Sequence, residues 1–134
     1  VTALTQDRNT PYRQGDIFTH PVAAAARIFV GALVALDANG FAAPGSTATG
    51  LTALGVAWSR ADNGGGADGD ITVRVRRGVF RFANAGTDTI DRTHIGGTAY
   101  IVDDQTVAAN DGAGTRSAAG TIRDVDAQGV WVEI

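Results

Sequence analysis

The sequence predicts an all-β domain, a small β-barrel or β-sandwich with at most one short helix and an extended N-terminal arm. Three observations predict it. Short runs that alternate apolar and polar residues recur along the chain, separated by clusters of Gly, Asp, Asn and Ser that favour turns. Helical periodicity never lasts more than a turn or two, too short to stand alone. The run Asp70–Asn84, D-I-T-V-R-V-R-R-G-V-F-R-F-A-N, changes parity in its middle. Ile71, Val73 and Val75 are odd-numbered, whereas Phe80 and Phe82 are even. A strand that keeps one face in a core can change parity only by bending or inserting a residue, and Arg77-Gly78 sits at that point. The expectation is a long kinked strand that turns a corner.

The other elements follow in chain order. Residues 1–14, V-T-A-L-T-Q-D-R-N-T-P-Y-R-Q, have neither helical nor strand periodicity and read as an arm; a single β domain spans 15–134. Asp16–His20 is a short strand closed by Pro21. Val22–Ala26 is ambiguous, its four alanines favouring helix over too short a run. Ile28–Leu36 is apolar on both faces and reads as one or two central strands with a bend at Gly31. Asp37-Ala38-Asn39-Gly40 is a hairpin turn, with Asn-Gly supplying positive φ angles, and Phe41–Ala43 returns. Pro44–Gly50 is a loop, Leu54–Ser59 a strand containing Trp58, and Asp62–Gly69 the most flexible stretch. Thr87–His94 fits a short helix with Asp88 as N-cap and Gly96-Gly97 as its stop. Thr98–Val102 and Thr106–Ala108 are strands around an Asp103-Asp104 turn, and Ala109–Ser117 is a polar loop. Ala119–Val125 and Val130–Ile134 form a terminal hairpin through Asp126–Gly129.

Composition narrows the chemistry. The 134 residues suffice for one domain with a real but modest core. Cysteine is absent, which excludes disulfides and thiolate chemistry. All eleven basic residues are Arg, a type suited to protein interfaces but also one that a GC-rich genome favours. The acidic side has thirteen Asp and one Glu, which fits a turn-rich protein. No segment approaches the ~20 apolar residues of a membrane span, and no charged n-region precedes an apolar core. Synthesis in the cytoplasm is therefore expected, with no membrane partner.

Each candidate site also has a blander reading. The Asp62–Asp70 loop lacks the distal Glu of a calcium loop and the Lys of a phosphate loop. His20 and His94 have no further ligands at metal spacing, and His94 reads as closing a helical turn, its charge suiting the C-terminal dipole. Ser46, Ser59 and Ser117 lie outside any G-x-S-x-G elbow. Asp103 and Asp104 point to opposite faces if extended. The expectation is no catalytic residue, cofactor or metal. Arg74, Arg76 and Arg81 have two readings, a solvated sheet face with Asp partners or a patch that meets acidic groups on a partner protein. Nucleic acid is disfavoured because the net charge is −3 and the arginines form no long stripe. Trp58, Tyr100 and Trp131 could pack a core or stack on a sugar. The arm is either a frayed terminus or a segment that orders against a neighbouring subunit through Leu4, Arg8, Pro11, Tyr12 and Arg13.

Three pieces of the chain resemble the capsid decoration, or cement, proteins of tailed bacteriophages. They are G-D-I-F-T-H-P-V with G-A-L-V-A-L-D-A-N-G (Gly15–Val22, Gly31–Gly40), A-L-G-V-A through the kinked strand (Ala53–Asn84), and the ending Gly97–Val107 with Ala119–Ile134. The resemblance implies a β-barrel-like structural protein of the virion that sits on the outer capsid surface as a homotrimer. It would bind the major capsid protein and stabilise the shell without catalysis. Two alternatives remain: a barrel of the phage tail or neck, and a carbohydrate-binding module.

Overall fold

The computed structural model describes residues 2–134; Val1, the first residue of the expected arm, lies outside them. The fold is all-β, as expected, and contains a closed five-stranded barrel. Its strands are β1 (Ile17–Pro21), β2 (Arg27–Ile28), β3 (Leu33–Leu36), β4 (Ala42–Pro44), β5 (Thr52–Ala57), β6 (Ala61–Asp62), β7 (Thr72–Arg76) and β8 (Val79–Asn84). A 3-10 turn (Arg92–His94) leads to β9 (Thr98–Ile101), β10 (Thr106–Ala108), β11 (Ala118–Asp126) and β12 (Gly129–Glu133).

The first half forms a five-stranded sheet in the order β1-β7-β5-β3-β4, with β2 and β6 paired separately. A parallel bridge between Val22 and Ala42 joins the end of β1 to the start of β4, so this sheet nearly closes on itself. The second half is the closed barrel, ordered β10-β8-β12-β11-β9.

The expected kink is sharper than a bend within one strand. β7 belongs to the first sheet and β8 to the barrel, and the chain crosses between them at Arg77-Gly78. The parity change has its cause here: Val73 and Val75 enter one core, and Phe82 enters another. That second core joins Phe82, Ile101, Val107, Ile122, Val130 and Val132 of the barrel to Leu33, Ala35 and Val56 of the first sheet. The first core holds Val22, Ile28, Val34, Ala57, Val73 and Val75. Alternate residues of β3 therefore face opposite cores, which explains why this stretch is apolar on both faces. β5 divides likewise, Val56 to one side and Ala57 to the other. β3 and β5 are a wall common to both cores.

Gly55 makes that wall possible. Its φ is +145°, and a Cβ there would overlap the Arg76 carbonyl oxygen. The β3–β5 register shifts beside it, between Val34 and Ala35.

Several local expectations are corrected. Val22–Ala26 is not helical; it ends in a turn with Ala25 at φ 59°. The run Ile28–Leu36 does hold two strands with a bend at Gly31 (φ 89°), β2 ending at Ile28 and β3 starting at Leu33, and the Ala32 N–H donates to the Phe29 carbonyl at 3.1 Å in the turn between them. The Asp37–Gly40 hairpin forms, but Gly40 alone takes a positive φ (87°), and Asn39 does not. The Asp37 carboxylate supplies the rest by accepting the N–H groups of Asn39 and Phe41, each at 2.9 Å. The helix expected over Thr87–His94 shrinks to Arg92–His94, and its N-cap is Asp91. Asp88 instead sits at φ 63° and holds Arg116 at 2.9 Å, tying two loops together. His94 acts at the start of this turn, its Nδ1 accepting the Asp91 N–H at 2.9 Å in a capping box.

The Asp62–Gly69 loop is tied down. Asn63 is buried, and its side-chain amide donates to the carbonyls of Ala23 (2.9 Å) and Ala67 (3.0 Å). The Ala24 N–H donates to Asp68 at 2.7 Å, and the Ala67 N–H to Asp70 at 2.9 Å. Sequence composition suggests mobility, yet one amide aimed inward organises the loop.

Candidate interaction surface

The arm leaves the body directly before β1, and Thr2–Gln14 is exposed throughout. Leu4 is 71% and Tyr12 97% exposed. Within the arm Arg8 donates to the Thr10 hydroxyl at 3.0 Å. Arg13 lies over the Phe18 ring at 5.5 Å, a cation–π contact at the root of the arm. Large apolar side chains held in water on an extended backbone cost free energy unless something covers them. Of the five arm residues singled out from sequence, Arg13 reaches the body, and Leu4 and Tyr12 are the bare large apolar side chains.

The three arginines divide between the two halves. Arg74 and Arg76 share one face of β7, opposite Val73 and Val75. Arg76 stacks over Trp58 at 4.6 Å and lies 3.9 Å from Asp16. Arg81 is on β8, directly across from Trp131 of β12, and stacks over that ring at 5.8 Å. Arg60 covers Phe29 at 5.3 Å. Each tryptophan thus has one ring face under an arginine, and the Trp131 indole N–H donates to Asp126 at 2.9 Å. These pairings were not visible in sequence. They depend on cross-strand register, which places residues far apart in the chain on one patch of surface.

A second surface feature has no local signal in the sequence. Phe29 and Val30 form an apolar turn tip, 55% and 64% exposed. Read as part of a continuous buried run, they carried no signal of their own. Trp58 and Val79 are also partly bare.

The acidic side chains serve the backbone. Asp37, Asp62, Asp68, Asp70, Asp88, Asp91, Asp103, Asp124 and Asp126 each accept a main-chain N–H. Asp62, Asp91 and Asp126 are held below the usual carboxylate range, Asp62 chiefly by the Gly64 N–H, Asp91 by the Thr93 hydroxyl and then its N–H, and Asp126 by the Trp131 indole. Burial pushes the His20 imidazole below its ordinary value. Among the described residues no three His, Cys, Asp or Glu side chains gather to hold a metal ion, and no helix is long and apolar enough to cross a membrane.

An apolar groove of ≈ 300 Å³ lies beside β1, lined by Phe18, His20, Leu54, Val75, Arg77 and Ile134 among others. β1 is an edge strand of the first sheet; the groove lies on its paired side, over β7 and β5, and its open row of backbone groups faces the other way.

Comparison with known proteins gives one finding. A family model described as phage cement protein matches residues 2–77, more than half of the chain. The match takes in the arm and the whole first sheet and stops at the crossing into the barrel. The third piece of the sequence resemblance, Gly97–Ile134, lies outside it. No curated protein and no solved structure matches the chain.

Proposed function

The chain belongs to the phage cement protein family, a structural and non-enzymatic family of the virion capsid, and from there we propose that it binds the outer capsid surface as a homotrimer. Its partner in this reading is the major capsid protein, and its role is to stabilise the assembled shell. The observation that carries the reading is that the family match includes an arm whose apolar side chains are bare in the isolated chain. Leu4 and Tyr12 supply the contact area, with Arg8, Pro11 and Arg13 around them. Arg74, Arg76 and Arg81, each on an exposed or partly exposed strand position, supply protein-facing cations. The protein would be made in the host cytoplasm and join the shell there.

The physics is mass action. A ligand that binds only the assembled lattice stabilises that state, by about 2.7 kcal/mol per site at a hundredfold excess over Kd. A trimer that grips several capsid subunits is released only when several contacts fail together.

Co-sedimentation with purified capsid shells tests this. The full chain is expected to pellet with shells, and a chain lacking residues 2–14 to bind roughly tenfold more weakly or worse, since bare aromatic and apolar anchors dominate interfaces. Circular dichroism should be unchanged, because the arm contributes nothing to either core. Failure of the full chain to bind shells would sink the function; full affinity of the truncated chain would sink the role of the arm.

A further inference from the structure

We propose that the arm of one copy adds as a strand to the β1 edge of a second copy, packing Leu4 against Phe18 and His20. This deepens the reading of the arm as a contact segment and rests on it.

The register of β1 defines the landing site. Phe18 lies opposite Val75 and His20 opposite Val73 on β7. The flanking bonds, from Arg77 N–H to the Asp16 carbonyl at 2.7 Å and from Val22 N–H to the Ile71 carbonyl at 3.0 Å, fix the alternation. Even-numbered residues of β1 therefore bond to β7, and the N–H and C=O groups of Ile17 and Thr19 point away from the sheet. Pro21 has no N–H and ends this open edge. The bridge from Val22 to Ala42 covers the chain only beyond that point. An added strand would complete the sheet where it fails to close.

The side chains agree with the backbone. Phe18 and His20 share a face with Val75 and Val73, so a strand laid along β1 places every second side chain on that face, beside Phe18 and His20. The arm offers Thr2-Ala3-Leu4-Thr5-Gln6, an uncharged exposed stretch around one bare leucine. A single chain thus carries an unpaired arm and an unpaired edge. Its own arm runs out from the start of β1 and would have to reverse to reach that edge. A second copy has no such constraint: extended at about 3.3 Å per residue, the arm spans roughly 40 Å, against a radius of gyration of about 14 Å for a domain this size. Main-chain bonds with a pocket for alternate side chains are how exposed edges capture peptides. The contact is heterologous, arm to edge, so it closes only as a ring, which is compatible with a trimer.

The absence of cysteine makes the test clean, because introduced thiols can pair only with each other. Two separately purified variants, Leu4→Cys and His20→Cys, are mixed and oxidised. The expected result is a disulfide-linked dimer of the two different chains, and for the Leu4→Cys/His20→Cys double variant a ladder of linked chains. Analytical ultracentrifugation of the full chain should show an oligomer that becomes monomeric on deletion of residues 2–14. Thr19→Pro should do the same with unchanged circular dichroism, since its lost N–H faces outward. A monomeric full chain at high concentration, or a double variant that closes only within one chain, would overturn the proposal. If the arm oligomerises the protein yet shells are not bound, the capsid reading fails and this inference stands. If the protein is monomeric and still binds shells through the arm, the reverse holds.

Discussion

Asp126 closes the last hairpin by accepting the N–H groups of Gln128 (2.8 Å) and Gly129 (3.0 Å) and the Trp131 indole (2.9 Å). These bonds favour the ionised carboxylate and hold it below its ordinary value, the indole contributing most. A depressed carboxylate contributes stability that is present above its unfolded-state pKa, about 3.9, and is lost as pH falls through the lower folded value. In a Trp58→Phe background, Trp131 fluorescence should therefore hold steady down to about pH 4 and change only below it. Asp126→Ala should abolish that step, and a step at the same pH in the alanine variant would refute the assignment. Gly55 makes a second prediction at this scale. Gly55→Ala forces a methyl group against the Arg76 carbonyl, and should lower unfolding stability by about 1–3 kcal/mol in urea titrations, as overpacking does. Gly15→Ala, with open space around it, should lie within about 0.5 kcal/mol of the parent.

At the scale of elements, what was legible in the sequence is what short-range chemistry controls. The terminal hairpin is legible because period-two alternation and the Asp126–Gly129 turn are local signals, and Val130 and Val132 share the buried face of its last strand. The parity change at Arg77-Gly78 was legible too, but its meaning was not. Alternation reports that the buried face switches; it does not report that the new face belongs to a different sheet. The apolar tip at Phe29-Val30 was lost for a related reason, since a turn between two buried strands looks like one longer strand when no polar residue marks it. The candidate surface was the least legible part. Arm residues could be picked by type, whereas the Arg76–Trp58 and Arg81–Trp131 stacks exist only through strand pairing across long sequence separations. The Asp62–Gly69 loop failed in the other direction: glycine content signals backbone freedom, and Asn63 removes it.

The whole molecule is two β units built on one wall. Because Leu33, Ala35 and Val56 pack into the barrel core while Val34 and Ala57 pack into the other, neither unit is complete alone. The family match ends at residue 77, which invites the idea of a separable module. The shared wall predicts otherwise. A chain of residues 1–77 would leave Leu33, Ala35 and Val56 facing water and should lack the dispersed amide NMR signals of a folded protein. The 134-residue chain should unfold in one transition, with Trp58 in the first half and Trp131 in the second reporting the same urea midpoint. Two separated midpoints would show that the wall couples the cores less than its packing implies.

The arm runs straight into β1, and β1 lies flat along β7 through its paired residues from Ile17 to Pro21. Tension on the arm is therefore directed along the strand. It loads the β1–β7 hydrogen bonds together, in shear, where a pull across the edge would open them one after another. A tether anchored this way resists a sudden stretch far better than its equilibrium affinity suggests, and the limit on its grip becomes the far end of the tether.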